Sequence, residues 1–231
     1  MRLPPALLLV AVTLAGGGAG FLAFRQFPST SSLKPVPAAT GAHPAPAPAA
    51  TPATATASAI PDLVPDVRLM DLAGKTHALR ASAGRPRLYN FWATWCEPCR
   101  REIPLLNTLQ NRHRDERLEV VGIAIDFRDA VAKFVKRTPL RYTLLVGEDN
   151  GLEVAQQFGM DPLLPFSVFA DEHNRIVALK VGELHLDEAD AILEHMRLLR
   201  EGKSTLPATQ SAITETLKSL SLQRAQQSPK G

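Results

Sequence analysis

The chain has 231 residues, 26 Lys and Arg against 23 Asp and Glu, and a net charge of +3 spread along its length. That length fits one ordinary domain plus extensions, and scattered basic residues do not make the concentrated basic face that nucleic acid requires. Only two cysteines occur, Cys96 and Cys99, too few for a small domain stabilised by several widely spaced disulfides.

Leu3 to Phe24 carries no charged residue over 22 positions, with Arg2 before it and Arg25 after it. About 20 apolar residues cross a bilayer as a helix. The small residues Ala15 to Gly20 lie inside this apolar run, and Phe21, Leu22 and Phe24 continue it. That pattern favours an uncleaved anchor over a signal peptide with a shorter core and a small-x-small cleavage site. The flanking charges lean slightly toward a cytoplasmic amino terminus. Residues 1–27 are thus expected to be a transmembrane anchor or signal. Residues 28–61 are almost wholly Ala, Pro, Thr and Ser, and are expected to form a disordered, semi-rigid linker.

Residues 62–200 alternate between strand and helix signals. VRLMDLAGKTHAL holds two short alternating segments around an Ala-Gly turn, which predicts a β-hairpin. RLYNFWA is a compact apolar run expected to be a buried strand. IPLLNTLQNRHRDE spaces Ile103, Leu106 and Leu109 as a helix does. LEVVGIAID (118–126) is short and β-branched, as in a central parallel strand. DAVAKFVKRT reads as a helix, YTLLVG as a strand, and LEVAQQFG as a short helix ended by Gly159. SVFAD and RIVALKVGE flank the polar turn EHNR as an antiparallel pair, and LDEADAILEHMRLLR closes with a helix. The expected fold is α/β, a central mixed sheet flanked by helices. Residues 201–231 read as a polar tail in which Ile213, Leu217, Leu220 and Leu222 form at most one weak amphipathic helix.

The chemistry concentrates in NFWATWCEPCRREIP, residues 90–104. Structural zinc needs about four ligands and this pair supplies half; no second Cys pair and no nearby His-x3-5-His pair exists. A static disulfide here would close a loop of a few residues and constrain the unfolded chain little. Redox exchange fits better. Cys96 is expected where a strand gives way to a helix containing Cys99. A thiol there meets unpaired N–H groups and the positive helix end, which lower its pKa into the range of roughly 3.5–7.5. Cys99, one turn further on, can attack the mixed disulfide that Cys96 forms. Pro98 restricts the intervening turn, and its missing N–H is tolerated at an early helix position.

FWATWCEPCRREIP resembles the active site of thioredoxin-fold proteins, and the membrane-tethered bacterial TlpA/ResA-like group most of all. The resemblance covers about residues 62–200, including DLAGKTHALRASAGRPRLYNFWATWC and GMDPLLPFSVFADEHNRIVALKVG. It implies a thioredoxin-like fold with an N-terminal β-hairpin and a helix-containing insertion, here residues 127–158. It implies that Cys96 is the nucleophile, Cys99 the resolving cysteine, and Pro165 the cis-proline that faces them, preceded by Leu164. Pro162 competes for that place. Trp95 would line the partner groove. Glu102 matches an acid placed near the two sulfurs, where it assists proton movement; it reads equally as an ordinary acid stabilised by the helix dipole. Phe166 stands where relatives carry Thr and is expected to reshape the groove. Asn90 stands where cytosolic thioredoxins carry a buried Asp.

The resulting expectation is a thiol–disulfide oxidoreductase without cofactor or metal, anchored in the bacterial inner membrane through residues 3–24, with its catalytic domain in the periplasm. Its partners would be disulfide-bonded periplasmic proteins, with apocytochrome c as one client, and a membrane thiol-electron donor. Reduction of those disulfides is the expected direction, and a disulfide-forming oxidant is the alternative, because only the sulfur reduction potential separates the two. A thioredoxin-fold peroxidase lacks its Pro-x3-Thr-x2-Cys context here. A non-catalytic binding module is disfavoured by the intact W-C-x-P-C.

Overall fold

A computed structural model describes residues 60–80, 84–148, 150–160 and 163–227, all within one compact unit spanning 54–231. The hairpin forms from β1 (Arg68–Met70) and β2 (Thr76–Ala78), paired antiparallel. Asp71 shapes its turn, Oδ1 accepting the N–H groups of Ala73 and Lys75 at 2.9 and 3.0 Å. Gly74, at φ +83°, takes the left-handed conformation that the turn requires.

The run RLYNFWA becomes β3 (Arg87–Trp92), buried at every position. It lies between β4 (Glu119–Ala124), parallel to it, and β6 (Phe166–Ala170), antiparallel to it. Beyond β4 comes β5 (Thr143–Val146), parallel, and beyond β6 comes β7 (Ile176–Val181), antiparallel. The seven strands run in the order β2-β1-β5-β4-β3-β6-β7, a mixed sheet as expected. The expected insertion contains α2 (Arg128–Val135), β5 and α3 (Gly151–Gln157). It therefore contributes a strand that joins the hairpin to the central sheet. Arg128 fastens α2 to the hairpin by donating to the carbonyls of Leu72 and Asp71 at 2.6 and 2.9 Å.

Because side chains alternate along a strand, β3 serves two cores. Leu88 packs with Leu106 and Leu109 of α1 (Glu97–Arg112) and with Ile192 and Met196 of α4 (Leu186–Arg200). Tyr89 and Phe91 face the other way onto Phe158 and Phe166. Each such buried side chain contributes about 1.5–3 kcal/mol of transfer free energy.

Three expectations change. The first helix begins at Glu97 and ends at Arg112 rather than running through RHRDE. Arg117, at φ +61°, turns the charged segment back into β4. The polar tail contains a 22-residue helix, α5 (Leu206–Gln227), which buries Thr209 and Ile213. It joins the core because Arg224 reaches back to the buried Glu188 of α4 at 3.1 Å, and Gln210 donates to the carbonyl of Ile176 at 2.9 Å. The third concerns location. No helix among the described residues is long and apolar enough to cross a membrane. Even α5 interleaves its apolar residues with Thr, Gln, Ser, Glu, Lys and Arg, whereas a span needs about 20 mostly apolar residues in succession. The apolar segment 3–24 and nearly all of the linker lie outside the described residues. The described residues thus contradict the expected inner-membrane, periplasm-facing location.

Candidate active site

The parallel strands β3, β4 and β5 all end at one edge of the sheet. β6 starts there, because Phe166 pairs with Phe91. That topology brings the loop after β3 and the first turn of α1, which hold Cys96 and Cys99, to the same end as the loop before β6, which holds Leu164 and Pro165. The Leu164–Pro165 peptide bond is cis. Pro162 lies outside the described residues.

Cys96 and Cys99 form a disulfide, with their Cα atoms 5.3 Å apart. Cys96 is the N-cap of α1, and its Sγ accepts the N–H of Cys99 at 3.3 Å. An N–H donor and the positive end of a helix dipole are the surroundings that favour a thiolate over a thiol. Pro98 follows in the first turn, where no N–H is missed. Cys96 is 5% exposed and Cys99 is fully enclosed, so an incoming sulfur can reach only Cys96. Glu97, between them, points to solvent and pairs with Arg101 at 3.1 Å.

Glu102 lies one turn beyond Cys99 on the same buried face of α1. It is 1% exposed. Its Oε1 accepts Asn90 Nδ2 at 2.7 Å and its Oε2 accepts the N–H of Leu184 at 2.9 Å. Burial pushes its pKa up to about 7; the Leu184 and Asn90 donors oppose the rise, Glu183 adds to it and Lys180 opposes it. A carboxyl so placed changes protonation near neutral pH, the condition for moving a proton to or from a neighbouring thiol. Asn90 also donates to Ser167 Oγ at 3.1 Å. This network was not foreseen, although a polar residue inside RLYNFWA was its signal: strand alternation turns Asn90 toward α1, beside Leu88, and the register pairs it with Ser167. The Leu184 donor is backbone and leaves no trace in the sequence.

Trp95 is 69% exposed beside Cys96, and Pro165 is buried. Leu164 packs against the cluster that holds Cys96, Cys99, Trp92 and Ala93. Asp126 fixes the loop by accepting the Thr94 N–H at 2.9 Å. Phe166 does not line the groove. It is fully buried and stacks on Phe91, ring centroids 4.2 Å apart, because the antiparallel register sets the two side by side. Among the described residues no cluster of His, Cys, Asp and Glu is suited to a metal ion.

Comparison with known proteins agrees with this geometry. The Redoxin family model matches residues 59–193. Thiol-disulfide oxidoreductase ResA of Bacillus anthracis is 30% identical over 131 residues, 56% of this chain and 74% of ResA. ResA of Halalkalibacterium halodurans is 30% identical over 127 residues, 54% of this chain and 70% of its own length. Among solved structures, a candidate thiol:disulfide interchange protein DsbE from Chlorobium tepidum superposes with a TM-score of 0.52 at 26% identity, covering 59% of this chain and 94% of that one. MTB DsbF gives 0.52 at 25% identity, covering 60% and 99%. A helix-capping Cys-x-x-Cys disulfide on a thioredoxin-like sheet, and relatives named for exchange at such a pair, place this chain in the Redoxin family as a ResA-like thiol–disulfide oxidoreductase.

Proposed function

We propose that the protein reduces disulfides of client proteins, with Cys96 as nucleophile, Cys99 as resolving cysteine and Glu102 as the group that takes the Cys99 proton. The observation that carries this reading is the pairing of a helix-capping Cys96 Sγ with a buried, near-neutral Glu102 one turn beyond Cys99. Cys96 thiolate attacks one sulfur of the client disulfide, forming a mixed disulfide and releasing a client thiolate. Cys99 S–H passes its proton to the Glu102 carboxylate, and the Cys99 thiolate attacks Cys96 Sγ. The second client sulfur leaves as a thiolate, and the Cys96–Cys99 disulfide remains. Two electrons have moved to the client, and a dithiol donor must return them before the next cycle. Trp95, Leu164 and Pro165 would frame the client segment around Cys96, and the haem-site cysteines of apocytochrome c are one client of suitable chemistry.

The test is insulin-disulfide reduction by the purified full chain with dithiothreitol, together with equilibration of the pair against glutathione. Accelerated insulin reduction and a strongly reducing pair support the proposal. An inert pair overturns it, and a strongly oxidising pair reverses the direction of electron flow. A Cys99→Ser variant expressed in bacteria should accumulate mixed disulfides through Cys96, and mass spectrometry of the trapped proteins identifies the clients.

A further inference from the structure

Asn90 is 1% exposed in the middle of β3, and its amide is only half used. Nδ2 donates to Glu102 Oε1 at 2.7 Å and to Ser167 Oγ at 3.1 Å. Oδ1 is equally buried and meets no donor among the described residues. This arrangement suits an ionised Glu102, which only accepts hydrogen bonds. A protonated Glu102 fits it badly. Leu184 N–H faces Oε2 and Asn90 Nδ2 faces Oε1, so a proton on either oxygen finds no acceptor among these partners; the backbone N–H is fixed, and only the amide can turn to offer one.

Asparagine carries both polarities on one planar group. A half turn about its Cβ–Cγ bond puts Oδ1 where Nδ2 stood, facing both Glu102 Oε1 and Ser167 Oγ. There it accepts the Glu102 O–H, and the Ser167 hydroxyl, which donates as readily as it accepts, turns from acceptor to donor. We infer that Asn90 is a positioning residue that reverses its amide as Glu102 gains or loses its proton, offering Nδ2 to the carboxylate and Oδ1 to the acid. Aspartate here would set a second titratable charge against Glu102, and leucine would offer neither polarity.

The inference rests on the reading of Glu102 as proton acceptor. As Cys99 S–H gives up its proton, Glu102 becomes an acid and the amide turns. When Glu102 passes that proton on to the departing client thiolate, the amide turns back, and no proton is gained or lost over the cycle. Cys99 shares the buried face of its helix, and the other groups whose charge bears on Glu102 are Lys180 on β7 and Glu183 in the following turn, with Tyr142 just before β5. Arg101 closes on Glu183 at 2.7 Å. Among the described residues only Asn90 and Leu184 hydrogen-bond the carboxyl.

The experiment is nuclear magnetic resonance of the full-length oxidised chain, following Glu102 Cδ through its titration near pH 7. Nuclear Overhauser contacts from the Asn90 Nδ2 protons to the Ser167 Hβ protons should be present above the midpoint and lost below it. Contacts that persist on both sides mean a fixed donor and overturn the inference. In Asn90→Ala the Glu102 midpoint should stay within about half a unit, because both protonation states lose a partner. A fixed donor would stabilise the anion alone, and its removal would raise the midpoint by about one unit or more, a tenfold change in the proton equilibrium. Failure of the underlying reading looks different: Glu102→Gln would then reduce insulin with the wild-type pH profile. The lost Nδ2 contacts would still establish the turning amide.

Discussion

Arg87 and Asn90 stand three positions apart on β3, at 2% and 1% exposure, yet their surroundings treat them differently. Arg87 donates to the Leu79 carbonyl, the Tyr89 hydroxyl and Asn174 Oδ1 at 3.0–3.2 Å, and to the Glu119 carboxylate at 3.1 Å. Those partners come from the segment after β2, from β3 itself, from β4 and from the β6–β7 turn, so one guanidinium ties together four parts of the sheet. Asn90 has a titratable partner and an unused buried acceptor. A permanently charged group with many oxygen partners holds a single arrangement. An amide carries a donor and an acceptor on one planar group, so beside a titrating carboxyl it can serve either protonation state. Burial alone does not separate structure from function; titratability and leftover hydrogen-bonding capacity do.

The largest effect belongs to the two sulfurs. Cys99→Ser should abolish turnover in insulin reduction while leaving a mixed disulfide on Cys96, and sustained turnover would remove Cys99 from the mechanism. Arg87→Met breaks the first network and leaves buried acceptors unpaired. It should lower stability by about 3–5 kcal/mol in urea unfolding, with insulin reduction unchanged in the fraction that stays folded. A loss of activity without a loss of stability would erase the contrast between the two sites.

Glu102 tests the other side through pH. Its folded pKa is raised from 4.5 to about 7, so the folded oxidised protein holds a proton that the unfolded chain has released. Its stabilising contribution is complete below the unfolded value and is lost as pH rises through 7, by about 3 kcal/mol in all. Glu102→Gln should flatten that part of the urea-stability curve, and identical curves for variant and wild type would place the Glu102 pKa back in the ordinary range. Trp95→Ala should be the mildest, changing stability by less than about 0.5 kcal/mol because the ring is exposed. It should raise KM for protein clients more than it lowers kcat, and an unchanged KM would exclude Trp95 from client binding.

Much of this fold was legible because hydrophobic periodicity is local. RLYNFWA, LEVVGIAID and LDEADAILEHMRLLR carry their own strand or helix patterns, and β3, β4 and α4 lie within them. The redox pair was legible because an apolar strand followed by W-C-x-P-C needs no distant partner to be recognised. Other features depended on residues far apart in the chain. The tail folded into α5 because Glu188, itself buried, offered a carboxylate to Arg224. Phe166 became core because register set it beside Phe91. Asn90, Glu102, Ser167 and Leu184 come from β3, α1, β6 and the turn after β7, and only the packed sheet brings them within hydrogen-bond distance. The sequence by itself determined the elements and the sulfur chemistry, since both follow from neighbours along the chain. Tertiary structure alone decided what surrounds Glu102 and how strongly it holds its proton, because desolvation is a property of what surrounds a group in space.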